Sequence, residues 1–211
     1  MTRPSKNTDI KLLQAGKELI PLTGFSGLSV RDVARRAGVN LGMFNYHFGT
    51  KEKYIEVLIK EVYNQFFVNF KLESETGDNS YERLRNALIN AAFFIRDNRM
   101  LVITFVQEIM SGNKKMLKFA RKNLTGHIYV AIDLLKRCQK DGYIVKAPIL
   151  TIAPIIIGSI ALPNLAMRVL EKNYKNTFFG AVLPIFKKNV LSDKVIINRI
   201  DLILKGLSTG R

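Results

Sequence analysis

The chain has 211 residues, 33 basic against 17 acidic side chains and a formal net charge of +16. That length suits one small module joined to a larger bundle with a real core, and the charge favours an anionic partner. One cysteine excludes an intramolecular disulfide framework, and two scattered histidines supply no metal-ligand spacing, so neither a metal nor another cofactor is expected. The polar N-terminus MTRPSKNTD carries no signal-peptide pattern, which makes the cytoplasm the expected location.

Residues 26–53, SGLSVRDVARRAGVNLGMFNYHFGTKEK, read as two short helices joined by a tight turn. Val30, Val33, Ala34 and Ala37 recur on one helical face, with Ser29 as N-cap and Asp32 three residues on, as in a capping box. Gly38 ends that helix by taking the left-handed conformation, and Val39 is a plug sized to sit between crossing helices. Asn40 caps a second helix that turns Phe44 and Phe48 inward and Leu41, Gly42, Met43, Asn45 and Tyr46 outward. Thr50 caps a longer third helix, with Lys51 in its first turn and an apolar ridge of Tyr54, Leu58, Val62, Phe66 and Phe70 at a spacing of four.

This order of elements suits DNA. A short helix fits the major groove, its N-terminal side chains reach base edges, and the preceding helix crosses the backbone and fixes the docking angle. Tyr46, His47 and Lys51 are candidates for phosphate oxygens, together with the capped N-termini at Ser29 and Thr50. Gly42 permits close approach to the bases, Arg31 and Asn45 carry donors suited to guanine and adenine edges, and Leu41 and Met43 suit thymine methyls.

The segment GLSVRDVARRAGVNLGMFNYHFGTKEK resembles the N-terminal domain of tetracycline-repressor (TetR) family regulators. The shared pattern is a small hydroxyl residue, an apolar helix, A-G-V, a recognition helix similar to G-x-x-Y-x-H-F, and a capped K-E. The resemblance covers residues 6–66 and implies phosphate contacts at Tyr46, His47 and Lys51, with base contacts at Arg31, Leu41, Gly42 and Asn45. Two positions depart from the usual form, Leu41 where a polar or basic residue is common and Asn45 where a Tyr is common, so base preference does not carry over.

Beyond residue 66 the breaks are modest. SETGDNS at 74–80 is a linker, and Leu84, Leu88, Ala91 and Ile95 mark the next amphipathic helix, which ends at the polar 97–99. Residues 100–109 form a mostly apolar helix, 111–115 break it, and one long helix is expected over 115–140, stopped at Asp141 and Gly142. Within it Cys138 lies beside Arg137, near Lys136 and Lys140, a setting that lowers a thiol pKa; an inert packing residue is the expectation. Most of the excess charge lies outside the first 60 residues, which carry ten basic and five acidic side chains against 23 and 12 in the remaining 151.

Residues 147–167 contain no charged side chain and are long enough to span a bilayer, although Pro148, Pro154, Pro163 and Asn164 weaken that reading. A membrane-associated DNA-binding or adaptor protein built on this run is the alternative. The preferred reading is no membrane and a helix buried between the bundle core and a second subunit. The last helix carries a further stripe of Ile196, Ile200, Ile203, Leu204 and Leu207 after a Ser192 cap. Two such helices from each copy suit a four-helix dimer interface, with Ile196, Ile200, Ile203 and Leu207 as its residues.

The expected fold is therefore all-α: a three-helix helix-turn-helix domain at 6–66, followed by a larger helical bundle at 67–211 for effector binding and dimerisation. The family resemblance implies a small-molecule effector in that bundle, whose binding changes the separation of the recognition helices. Phe93, Phe94, Phe105, Met110, His127 and Asn164 are the candidate contacts, and suit a largely apolar ligand. No grouping of Asp, Glu and His suggests an enzyme. The expected partners are double-stranded operator DNA, a second copy and the effector, in a ligand-responsive repressor.

Overall fold

The structure, a computed structural model, describes residues 7–174 and 178–210. Its helices are α1 (Thr8–Gly27), α2 (Val30–Ala37), α3 (Leu41–Phe48), α4 (Lys51–Glu75), α5 (Ser80–Asp97), α6 (Arg99–Met110), α7 (Lys114–Asn123), α8 (Gly126–Lys140), α9 (Ile149–Tyr174), α10 (Leu183–Leu191) and α11 (Asp193–Leu207). Among the described residues the one extended pairing is an isolated bridge between Ile144 and Ser208. The all-α expectation holds.

Short polar side chains set several helix starts by satisfying backbone N–H groups that have no partner inside the helix. Ser29 Oγ accepts from Asp32 N (3.4 Å), Asn40 Oδ1 from Met43 N (3.0 Å) and Thr50 Oγ1 from Lys53 N (3.1 Å). Farther on, Asn79 and Asn113 cap α5 and α7 in the same way. The Asp32 carboxylate is engaged by Arg35, three residues along the helix.

The helix expected over 115–140 is two helices. Leu124 ends α7 and α8 restarts at Gly126. Glycine costs about 1 kcal/mol against alanine inside a helix, and Thr125 is also a weak helix former, so the chain breaks there. Periodicity on either side stays helical, which hid the break.

The chain divides into two compact units. One joins residues up to Asn64 with Met100–Leu124, and the other joins Gln65–Arg99 with the chain from Thr125 onward. Thus α6 and α7, which the sequence groups with 67–211, pack in the unit that holds α1 to α3.

In the first unit the buried side chains Leu12, Ile20, Val33, Phe44, Tyr54 and Leu58 form the centre. The Tyr54 hydroxyl donates to Leu12 O at 2.6 Å, and burial raises its pKa. A Cβ on Gly16 would lie 2.0 Å from that hydroxyl, so only glycine lets α1 and α4 approach this closely.

In the second unit α9 turns Ile152, Ile156, Ile160, Asn164 and Met167 inward and packs with α5, α8, α10 and α11. By length and composition alone Ile149–Glu171 could cross a membrane, yet one of its faces is bundle core. The stripe on α11 is corrected in its role: Ile196, Ile200 and Leu207, expected at a dimer interface, are 2%, 1% and 8% exposed within the protomer. They pack inward as α11 meets α5, α9 and α10. An amphipathic stripe announces burial but not by which neighbour. Ile203 is half-buried, and Leu202 beside it is 70% exposed.

Candidate nucleic-acid interface

Helix α3 owes its exposed face to two anchors. Phe44 and Phe48 are buried, with ring centroids 5.5 Å apart and each 5.0 Å from the Tyr54 ring. Pinned on that side, the helix presents Leu41, Gly42, Asn45 and Tyr46 to solvent, Tyr46 at 73% exposure, with Met43 half-buried at the edge. The Asn40 cap fixes the N-terminal turn, the part that reaches base edges in this geometry. An added Cβ at Gly42 would stand 3.2 Å from Asn40 Oδ1, so any larger residue crowds the cap.

Helices α2 and α3 meet through Gly38, whose φ of 67° lies in the left-handed region. Its N–H bonds back to Arg35 O, and Val39 N to Ala34 O at 3.0 Å, closing the end of α2. On α2, Arg31 is exposed, whereas Arg36 is held by Glu18 at 2.7 Å. That hydrogen bond keeps the Glu18 carboxyl below the usual carboxylate range.

Two of the predicted phosphate ligands are less free than their residue types suggest. Lys51 Nζ donates to Ser26 O (2.9 Å) and Leu28 O (3.2 Å), tying the end of α1 to the start of α4. An ammonium has three donors, so one remains for a phosphate. His47 lies edge-on to Tyr46, and its Nε2 is buried without a hydrogen-bond partner. In this conformation that nitrogen does not face solvent. Tyr46 is the freest of the three. The sequence shows none of this, because Lys51 reaches carbonyls 23 and 25 residues away.

An eight-residue capped helix with an uncharged exposed face, crossed by a second short helix through a left-handed glycine, is a helix-turn-helix reading head. The class is a DNA-binding regulator. Residues 12–57 match the model of bacterial regulatory proteins, tetR family. The chain is 30% identical over 147 residues to the probable HTH-type transcriptional regulator YttP of Bacillus subtilis (strain 168), covering 68% of this chain and 70% of that one. This protein therefore belongs to the TetR family of transcriptional regulators and is not an enzyme.

Solved structures agree on the fold. A fatty acid degradation regulator, FadR from Bacillus halodurans, superposes with a TM-score of 0.74 at 17% identity, covering 98% of both chains. FadR from Bacillus subtilis, solved with stearoyl-CoA, gives 0.71 at 17% identity over 96% of this chain and 98% of that one.

The residues predicted for an effector are dispersed. In the second unit Phe94 stacks on Phe66 with centroids 4.3 Å apart, and His127 stands edge-on to Phe66 (5.4 Å) and Phe70 (6.1 Å). Burial in this cluster lowers the His127 pKa to about 4. Asn164 is 2% exposed; its Nδ2 donates to Ile160 O, while its Oδ1 is buried without a partner. Phe93 lies beneath the Arg96 guanidinium, 4.8 Å from its ring centroid. Phe105 is half-buried and Met110 is 80% exposed, both on α6 in the first unit. The reading from sequence omitted Phe66 and Phe70 as members of this cluster, although their spacing of four beside a further phenylalanine was visible.

Proposed function

We propose that the protein is a cytoplasmic repressor that binds a palindromic operator as a homodimer and is released by a small, largely apolar effector. The exposed face of α3 carries the DNA part of this reading. Leu41, Asn45 and Tyr46 project from a helix whose inner side is locked by Phe44 and Phe48. Asn45 offers the paired donor and acceptor that match an adenine edge, and Arg31 is free to approach a guanine.

Dimerisation is supported by apolar side chains that the protomer leaves uncovered. On α9, Ile155, Leu162 and Val169 recur every seven residues at 50%, 63% and 56% exposure, and α11 adds Leu202. A seven-residue apolar repeat keeps one seam facing a partner helix. This seam replaces the buried Ile196, Ile200 and Leu207 as the proposed contact. One recognition helix reads only a few base pairs; two, held about 34–36 Å apart, meet successive major grooves.

The apolar effector is supported by the ring cluster of Phe66, Phe70, Phe94 and His127, and by the long acyl chain held by the Bacillus subtilis FadR structure. The orphaned acceptor of Asn164 suits one hydrogen-bond donor on the ligand. To shift the equilibrium the effector must prefer dimers with the wrong helix spacing, since equal affinity for both forms shifts nothing.

Binding-site selection tests the DNA reading. Wild type is expected to return an inverted repeat, and Asn45→Ala the same repeat with one relaxed position in each half. An identical consensus from both would remove Asn45 from base readout, and no consensus from wild type would sink the operator itself.

A further inference from the structure

Helix α7 runs against ordinary helix electrostatics. Its sequence KKMLKFARKN has five basic residues and no acidic one. Lys114 and Lys115 occupy the first turn, where the helix dipole favours negative charge. Lys115 with Lys118 and Lys118 with Lys122 form like-charge neighbours at three and four residues, an arrangement that weakens a helix.

This helix borders a groove of about 440 Å³ with α4, inside the first unit. Five lysines line it: Lys53 and Lys60 from α4, Lys115, Lys118 and Lys122 from α7. None of these ammoniums is within ion-pair distance of a carboxylate among the described residues, although Lys17, Arg35 and Arg36 of the same unit all are. Seven residues separate the ends of each lysine row, about 10 Å along a helix axis. Val57 and Phe119 also line the groove, half-buried, and Glu56 is its single acid.

Two lysine rows of that length match a chain of two or three phosphates. They do not match a DNA duplex, whose major groove alone is about 12 Å wide and which is too broad to enter a hollow of this size. Phe119 has no ring partner among the described residues, so its face is available for a flat organic group. The Glu56 carboxylate can accept from a hydroxyl or amino group, which bare phosphate lacks.

We propose that the α4–α7 groove binds a small polyphosphorylated molecule of the nucleotide class, with the phosphates between the lysine rows and the organic part on Phe119. Such a ligand screens the repulsion along α7 and ties it to the helix that begins at Lys51, beside the reading head. It is a second ligand site, in a different unit from the ring cluster of Phe66 and His127.

The test is calorimetric titration of the full chain, at physiological ionic strength, with ATP and with tripolyphosphate. ATP is expected to bind once per chain, about tenfold tighter than tripolyphosphate, the difference a stacked ring supplies. The exposed triple substitution Lys60→Gln, Lys118→Gln and Lys122→Gln leaves the fold intact and is expected to weaken ATP at least tenfold. Lys194→Gln with Lys205→Gln, in the other unit, is expected to leave it unchanged, and Phe119→Leu to close the gap between ATP and tripolyphosphate. Absence of ATP binding, equal affinity for the two ligands, or an unaltered triple variant each overturns the proposal. So does a triple variant that loses only affinity for random duplex DNA, which would make the groove a track for phosphate backbones.

Discussion

The caps of the reading head, in the first unit, and the polar ties of the second unit act over very different distances along the chain. In the first, the reading head is organised by caps that reach three residues: Ser29 to Asp32, Asn40 to Met43, Thr50 to Lys53. In the second, the polar ties join distant segments. Arg85 grips Asp201 through two hydrogen bonds of 2.5 and 2.9 Å across 116 residues. Arg99 reaches Glu171 across 72, and Ser80 donates to Asp141 across 61. A short capped helix is a local device, whereas the bundle exists only once its helices have met.

The largest effect should separate core from contact surface within the second unit. Ile200→Asp places a carboxylate at a site 1% exposed, and is expected to cost at least about 4 kcal/mol or to prevent folding altogether. A chemical-denaturation curve decides it. A stable, folded, monomeric Ile200→Asp protein would return Ile200 to the dimer interface and dissolve the distinction drawn here.

Next, Leu162→Asp with Leu202→Asp alters two side chains that the protomer leaves exposed, at 63% and 70%. The protomer is expected to stay folded, sediment as a monomer and bind the operator about 100-fold more weakly, because two half-sites are no longer read together. Ultracentrifugation and operator titration check this together. A dimer that survives both charges places the partner elsewhere.

These two experiments also mark where the sequence stopped being legible. Helices α2, α3 and the start of α4 were readable because cap, turn glycine and apolar face fall within a few residues of one another. The ridge of Tyr54, Leu58, Val62, Phe66 and Phe70 was readable for the same reason, and all five are buried. On α11 the same kind of stripe misled, since period alone does not say whether a helix is covered by its own chain or another. For Lys51 and His47, residue type and position point to phosphate but do not show that Lys51 also bonds carbonyls across the turn or that His47 Nε2 is covered. The lysine groove was invisible because Lys60 of α4 and Lys115 of α7, its nearest lysines along the chain, lie 55 residues apart in sequence.

A third, smaller effect concerns pH. His127 titrates near 6.5 when unfolded and at about 4 in the ring cluster, held down by burial. The unfolded chain therefore binds more protons between those values. Stability from this group is complete above pH 6.5 and falls as pH drops toward 4, by about 1–2 kcal/mol at pH 5 given that the ring is only partly covered. His127→Gln is expected to remove that part of the slope between pH 7 and 5. A parallel pair of stability-against-pH curves for wild type and variant would assign the slope to other groups.

The smallest predicted effect returns to the reading head. Asn40 Oδ1 satisfies Met43 N at 3.0 Å, and no distant residue takes part. Removing such a cap typically costs about 1 kcal/mol, close to fivefold in an equilibrium constant. Asn40→Ala frees the first turn of α3 while Phe44 and Phe48, both buried, still hold the rest of the helix in place. Global stability is therefore expected to fall by only about 1 kcal/mol, whereas hydrogen exchange at Met43 N–H, which loses its side-chain acceptor and keeps only Asn40 O at 3.1 Å, should speed up. Amides of α9 and α11 should keep their protection, because their ties lie in the other unit. Operator affinity should fall by a fewfold factor that grows with temperature as the freed turn frays. If protection is lost equally in both units, the cap is not a local device, and the contrast between a locally built head and a bundle built from distant segments fails.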